Sequence, residues 1–287
     1  MSLLSEKLTV DSALPDLPFH PCIHPVATKN MARIHLSVAG KCNLICHYCA
    51  RQYPNTSKGF PGTSRRVLSP QEALDHLRKQ RRIWGNNVVV GISGPGEPLA
   101  NKETFETLRL VRTHFPTHPL CLCTNGLLLG EYISVLSDLG ISVISITVNG
   151  VDPEIVARLQ PGVQCGDSLF MGKAGAQRLI DAQIRGLEMA SAVGIFVKVN
   201  TVVAERINDD HLVRLASVLR NTGAGMMNIM PVIPVNKGLW LSPPDGKCLE
   251  ELRTECEKYL PQFRQCRQCT SDAAGIPGLL REGGCCS

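Results

Sequence analysis

The sequence predicts an α/β chain whose parallel sheet curls into a (β/α)6 partial TIM barrel with N- and C-terminal extensions. Three observations predict it. Short apolar runs alternate with longer amphipathic ones, most of the apolar runs end in small polar residues, and no repeat or low-complexity tract interrupts the alternation. In chain order, residues 1–32 read as an N-terminal arm, and the alternating run Arg33-Ile-His-Leu-Ser-Val-Ala39 places the first strand at 34–38. The first helix spans 69–84, with Ser69 as N-cap and Pro70 at the first helical position. A second strand, 87–92, is a continuous apolar run that ends in a Gly/Pro turn, and amphipathic periodicity places a helix at 102–114. Strands at 120–123 and 143–148 flank a helix at 129–139; strands at 195–202 and 227–232 follow helices at 174–192 and 209–220. Right-handed crossovers make the sheet parallel, so ligands belong at the carboxyl ends of its strands. The barrel occupies 33–235. Residues 236–287, rich in Pro and Gly with one helix near 246–260, read as an extension folding over the barrel mouth.

Composition narrows the function. The 287 residues are 44% hydrophobic, enough for a full-sized core, with no apolar run of 18 residues and no basic stretch leading into an apolar core at the N-terminus. A cytoplasmic protein that engages no membrane is expected. Thirteen cysteines without an export signal point to reduced, metal-binding thiols rather than disulfides. The formal charge of +5 comes from scattered Lys and Arg, a solvated surface rather than a nucleic-acid patch.

Directly after the first strand, Cys42, Cys46 and Cys49 stand in C-x3-C-x2-C spacing. Structural zinc prefers paired C-x2-C units that close a four-ligand shell. Three thiolates on a short loop instead suit a [4Fe–4S] cluster with one iron left open to a small molecule. With Tyr48 just before the third cysteine, the pattern resembles the radical S-adenosylmethionine (SAM) superfamily. There the open iron chelates the methionine part of SAM and delivers the electron that yields a 5′-deoxyadenosyl radical. The barrel would then be of the radical SAM type.

The second strand ends in Gly94-Pro-Gly96-Glu97. In the superfamily a glycine-rich turn at this place contacts the methionine ammonium group, so Gly94 and Gly96 would admit the ligand and Glu97 would be a polar partner. Later strands end in Thr124-Asn125-Gly, Thr147-Val-Asn149 and Lys198-Val-Asn200. Asn125, Thr147, Asn149 and Asn200 are candidate SAM contacts, because amides both donate and accept, although Asn-Gly is also a common turn. Cys22 and His35 lie upstream, Cys121 lies two residues before Cys123 on one strand face, and Cys266 and Cys269 form a C-x2-C. Singly, such residues are ordinarily core.

Longer stretches carry a closer resemblance: HPC at 20–22, ARIHLSVAGKCNLICHYCARQY at 32–53, GISGPGEPLAN at 91–101, LCLCTNGL at 120–127, TVNGVDPEI at 147–155, NIMPVIP at 228–234 and QFRQCRQCTSDA at 262–273. These resemble the NifB family of nitrogenase cofactor maturases. The resemblance implies that Cys42, Cys46 and Cys49 hold the SAM-cleaving cluster. It implies that Cys22, His35 and Cys121 hold a second [4Fe–4S] cluster and that Cys266 and Cys269 help hold a third. It implies that SAM is used twice, first to methylate a cluster sulfide, then to abstract a methyl hydrogen, after which loss of further hydrogens leaves an interstitial carbon as the two substrate cubanes fuse into an [8Fe–9S–C] product with one added sulfur. An external electron donor, cluster-supplying assembly proteins and a carrier that receives the product are the implied partners. Where some relatives have a further cysteine this chain has Asn55, leaving the remaining ligand of the third cluster open, with Cys285 and Cys286 as substitutes. Cys123, Cys165, Cys248 and Cys256 follow no partner pattern and read as structural. The chain stops soon after the C-x2-C, so it is expected to hold the catalytic portion alone. Two rivals stand beside this reading: a radical SAM enzyme acting on an organic substrate, with Cys266 and Cys269 holding an auxiliary cluster, and a non-catalytic iron–sulfur carrier.

Overall fold

A computed structural model describes residues 17–50 and 60–279; Asn55, Cys285 and Cys286 lie outside them. The short helix α1 (Pro25–Asn30) leads into β1 (Ala32–His35), and the loop that follows carries β2 (Leu44–Ile45). Next come α2 (Pro70–Trp84), β3 (Val88–Ile92), α3 (Lys102–His114), β4 (Leu120–Thr124), α4 (Leu129–Asp138) and β5 (Ile141–Thr147). The helix α5 (Pro153–Leu159) and the hairpin β6 (Gly162–Cys165) and β7 (Ser168–Met171) precede α6 (Gly172–Ala192). The chain closes with β8 (Phe196–Val203), α7 (Leu212–Asn221), β9 (Met226–Pro231), α8 (Gly246–Glu257) and β10 (Ala274–Gly275).

The main sheet runs β10-β1-β3-β4-β5-β8-β9; all its neighbours pair in parallel except β10, which lies antiparallel to β1. Six parallel strands with outer helices form the expected partial barrel. Ser69 caps α2 as the sequence predicts, in a reciprocal capping box with Glu72, and Gly85 ends the helix at φ 73°. One face of each strand packs on the helices: Ile34, Val90, Leu122, Ile144, Val199 and Ile229 share the main core with Leu77, Leu108, Leu187 and Leu215. The opposite faces line the lumen. Its floor is apolar, where Ile23, Ala27 and Met31 of the N-terminal segment pack on Val89, Val143, Met226 and Phe263.

Two features depart from the sequence expectation. The helix α8 is no extension over the mouth: Cys256 and Leu260 belong to the main core, and Arg253 donates to the Ile229 carbonyl at 2.9 Å. It serves as the outer helix of the sixth β/α unit, separated from β9 by the Pro-containing stretch 232–245 that disguises the connection. Residues 261–275 then cross the open side of the barrel. The Phe263 amide donates to the Met227 carbonyl (2.7 Å) at one edge of the sheet, and the His35 amide donates to the Ala273 carbonyl (2.9 Å) at the other.

Candidate radical SAM and cluster-binding site

The cysteine loop is held as the edge of a second, three-stranded antiparallel sheet, β2-β6-β7. Leu44 pairs with Val163 and Ile45 with Gly162, and the His47 amide donates to the Leu159 carbonyl at 2.9 Å. The hairpin turns at Gly166-Asp167, with Gly166 at φ 55°, a conformation glycine adopts without strain. Leu44 packs on Val156, Val163, Ala176 and Leu179, so an apolar anchor fixes the loop from below. The turn after β3 fixes it from the side. The Gly96 amide donates to the Ala39 carbonyl (2.6 Å) and the Glu97 amide to the Lys41 carbonyl (2.8 Å); any side chain at Gly96 would overlap the Lys41 carbonyl. At least one glycine of the turn is therefore required by the loop it supports, whatever ligand it also meets.

The loop opens on a cavity of about 260 Å³ at the carboxyl ends of the strands. Cys42, Cys46 and Cys49 line it together with Gly96, Glu97, Asn125 and Thr147. Glu97 is buried. Its Oε1 accepts from the Thr124 hydroxyl (2.6 Å) and the Leu99 amide (3.0 Å), and its Oε2 accepts from the Asn125 amide (2.7 Å). Burial lifts its pKa to about 7 against those hydrogen bonds. A carboxylate has about four acceptor positions, so about one is left over on this side chain at the cavity wall. Asn125 spends its amide on Asn43 and Leu127. Asn149 stands one layer back: it donates to the Tyr48 hydroxyl (2.8 Å) and to Gln160 Oε1 (3.1 Å) and accepts from the Val202 amide (2.9 Å). Gln160 Nε2 in turn reaches the Cys46 sulfur at 3.8 Å, and the Tyr48 hydroxyl also hydrogen-bonds that sulfur. Asn200 accepts from Asn228 at 2.9 Å, and Gly94, at φ 127°, packs near Ser271. Neither lines the cavity of the triad.

Behind this cavity, on the lumen face, a second group of donors comes together. Cys121 lies next to His35: a Cβ built on Gly91 would stand 2.7 Å from the Cys121 sulfur and 3.3 Å from the His35 ring. Burial raises the Cys121 thiol well above its usual range, and Cys123 and then Cys22 act on it in the same direction. Cys123, read as structural from sequence, also faces this chamber. Burial pushes its thiol up to about 11, Cys22 and Cys266 act on it in the same direction, and it lines the cavity of the triad as well. Its i, i+2 spacing from Cys121 was the one signal of its position, since a strand puts both on one face. His35 Nδ1 faces the Thr270 carbonyl at 3.1 Å and the Ser93 hydroxyl at 3.2 Å, which puts the proton on Nδ1 and leaves a lone pair on Nε2. Burial, then Arg33, pulls the His35 pKa down to about 4. Cys269 accepts from the Arg33 guanidinium at 2.7 Å, and Cys266 lies 3.6 Å from the Met230 sulfur. Lys198, 3% exposed, donates to the Cys22 carbonyl at 3.0 Å and sits 4.4 Å above the Phe263 ring.

These donors fit iron–sulfur clusters. Among the described residues no three His, Cys, Asp or Glu side chains converge tightly enough for a single metal ion, and a cubane, which offers each thiolate its own iron, does not require that they do. Burial, then Cys42 and Cys49, drives the Cys46 thiol far above its ordinary range; ligation to iron is what makes a buried thiolate favourable. Gly91 leaves open the space that a side chain would fill between Cys121 and His35. No helix among the described residues is long and apolar enough to cross a membrane.

Comparison with known proteins agrees. The radical SAM superfamily model matches residues 36–219. The "FeMo cofactor biosynthesis protein NifB" of Methanocaldococcus infernus is 40% identical over 272 residues, spanning 94% of this chain and 89% of that protein. Its Methanocaldococcus jannaschii counterpart is 40% identical, over 90% of this chain and 86% of its own length. The Klebsiella pneumoniae protein of that name is 37% identical over 93% of this chain but only 60% of its own length. Among solved structures, a radical SAM methyltransferase from Sphaerobacter thermophilus (TM-score 0.55, 16% identity, 81% of this chain and 64% of that one) and Streptococcus suis SuiB (TM-score 0.56, 14% identity, 83% and 48%) share the fold.

Proposed function

The chain belongs to the NifB family of radical SAM proteins, and on that premise we propose that it builds the iron–sulfur–carbide precursor of the nitrogenase cofactor from two substrate cubanes bound in its own barrel. The observation that carries the reading is the lumen chamber: thiols from three separate segments, Cys22, Cys121 with Cys123, and Cys266, gather with His35 directly behind the cavity of the triad. Cys42, Cys46 and Cys49 would hold a resident [4Fe–4S] cluster, which would supply the electron for reductive cleavage of SAM.

The chain's residues do the rest. Tyr48 and Gln160 direct hydrogen bonds at the Cys46 sulfur, and Asn149 orients both. Glu97 offers its open acceptor position to the ammonium of SAM, while Thr124 and Asn125 hold it in place. Asn125 and Thr147 border the same cavity and shape the SAM site, with Asn149 supporting it from behind through Tyr48 and Gln160. One substrate cluster takes Cys22, Cys121 and the Nε2 lone pair of His35; the other takes Cys266 and Cys269. A neutral imidazole in place of a thiolate, and few protein ligands overall, hold a cargo that must later leave. Lys198 and Arg33 bring positive charge to anionic clusters. Methyl transfer from one SAM, abstraction of one methyl hydrogen driven by a second, and loss of the two remaining hydrogens as protons, with their electron pairs left to carbon and the cluster irons, would join the cubanes into the [8Fe–9S–C] product with one added sulfur. An electron donor, cluster-supplying assembly proteins and a carrier for the product are the partners this chemistry requires.

Anaerobic reconstitution with iron and sulfide, then incubation with methyl-labelled SAM and dithionite, tests the reading. The expected result is ~12 irons per chain, three cubanes of four, formation of 5′-deoxyadenosine, and label retained in a cluster that activates cofactor-free nitrogenase. Deoxyadenosine without retained label would instead indicate an organic substrate. Iron binding without SAM cleavage would indicate a carrier.

A further inference from the structure

We propose that His20 is a substrate-binding residue of the lumen chamber, an imidazole N–H donor directed at a sulfur of the cluster held by Cys22, His35 and Cys121. The inference rests on the proposed function and deepens it. The Cys22 amide donates to His20 Nδ1 at 3.0 Å. An imidazole nitrogen that accepts carries no proton, so the ring's proton sits on Nε2. That Nε2 is buried with no hydrogen-bond partner among the described residues, on a side chain 5% exposed.

An orphaned buried donor is unfavourable unless something absent from the protein accepts from it. The groups whose charges act on His20 are Lys198 and His35. An ammonium has no lone pair, the His35 lone pair is the one its metal ligation would use, and no other acceptor among the described residues reaches the His20 Nε2. What the surroundings suit is an anionic acceptor. A cluster sulfide or ligating thiolate is such an acceptor, and the Cys22 thiol, a ligand in this reading, belongs to the residue whose amide sets the His20 tautomer. The two lumen histidines thus present opposite faces: His35 a lone pair on Nε2, His20 a proton on Nε2.

Hydrogen bonds to sulfur stabilise the reduced, more negative state of a cluster. His20→Asn keeps an acceptor for the Cys22 amide but lacks the remote N–H; His20→Gln restores a donor at that distance. The reconstituted full chain is titrated, following the signal that carries imidazole nitrogen coupling, which identifies the His35-bound cluster. We expect H20N to bind wild-type iron but to favour the reduced cluster about tenfold less, a shift of ~59 mV to lower potential for one electron, and H20Q to recover part of it. An exchangeable-proton coupling on that signal, lost in deuterium oxide, should be present in the wild type and absent in H20N. An unchanged potential and unchanged proton coupling in H20N would overturn the role of His20 alone. A wild-type chain that binds iron for one cubane only, with no imidazole-coupled signal, would overturn the proposed function and this inference with it.

Discussion

Glu97 ties the glycine turn to the end of β4 through hydrogen bonds accepted from Thr124 and Asn125, with a third from the Leu99 amide within the turn, yet burial leaves its carboxyl titrating near 7. Because its folded pKa lies above the ordinary value of 4.5, folding favours the protonated form. That contribution is complete below pH 4.5 and is lost as pH rises through about 7. Over this window wild-type stability should fall relative to Glu97→Gln by up to about 3 kcal/mol, read from urea midpoints of the metal-free proteins at matched pH; parallel profiles would contradict the assignment. Asn149 makes a second residue-scale case. Strand-end position suggested a SAM contact, whereas its amide is spent on Tyr48, Gln160 and Val202. Asn149→Leu should therefore destabilise the fold by ~1–3 kcal/mol as well as slow SAM cleavage, and a normal melting temperature with weakened SAM binding would restore the direct-contact reading. The triad was legible at this scale because its spacing is local. Cys123 and Lys198 were not, because both faces of a buried parallel strand are hidden from water and composition does not mark which one turns to the lumen; His20 was not, because it lies in the turn before α1, where no periodicity marks a buried side chain.

The elements legible in the sequence are those with strong local signals: continuous apolar strands such as Val88–Ile92, and capped amphipathic helices such as Pro70–Trp84. The second sheet went unread. Its β2 is two residues long and gains its identity only from pairing with β6, although Gly166-Asp167 between two short runs was a hairpin signal. This sheet matters out of proportion to its size, since it sets the path of the cluster loop. A Cβ on Gly175 of α6 would overlap the Phe170 carbonyl of β7. Gly175→Val should therefore shift the hairpin that β2 pairs with and cut reconstituted iron by about one cubane, with far-UV circular dichroism nearly unchanged; full iron retention would show that the loop does not depend on the hairpin. Gly91→Ala should do the reverse, impairing the His35-bound cluster while SAM still binds the triad cluster with its characteristic spectral change.

At the scale of the molecule, residues 261–275 reach from β9 to β1 across a gap that the six strands leave open, and they bring Cys266 and Cys269 with them. A wall segment that carries ligands turns the cargo into a strut. Its iron would fasten the C-terminal segment to the interior, while the backbone attachment consists of hydrogen bonds such as those made by the Met227, Phe263 and His35 amides. A ligand that binds only the folded state stabilises it by up to ~4 kcal/mol at a thousandfold excess over its dissociation constant. Those three amides should then exchange with deuterium most slowly in the loaded chain and fastest just after product is extracted, with Cys266→Ser/Cys269→Ser exchanging quickly throughout. The barrel would be at its most open when its work is done, so departure of a bulky product and entry of the next pair of cubanes could share one doorway, timed by occupancy rather than by a separate gate.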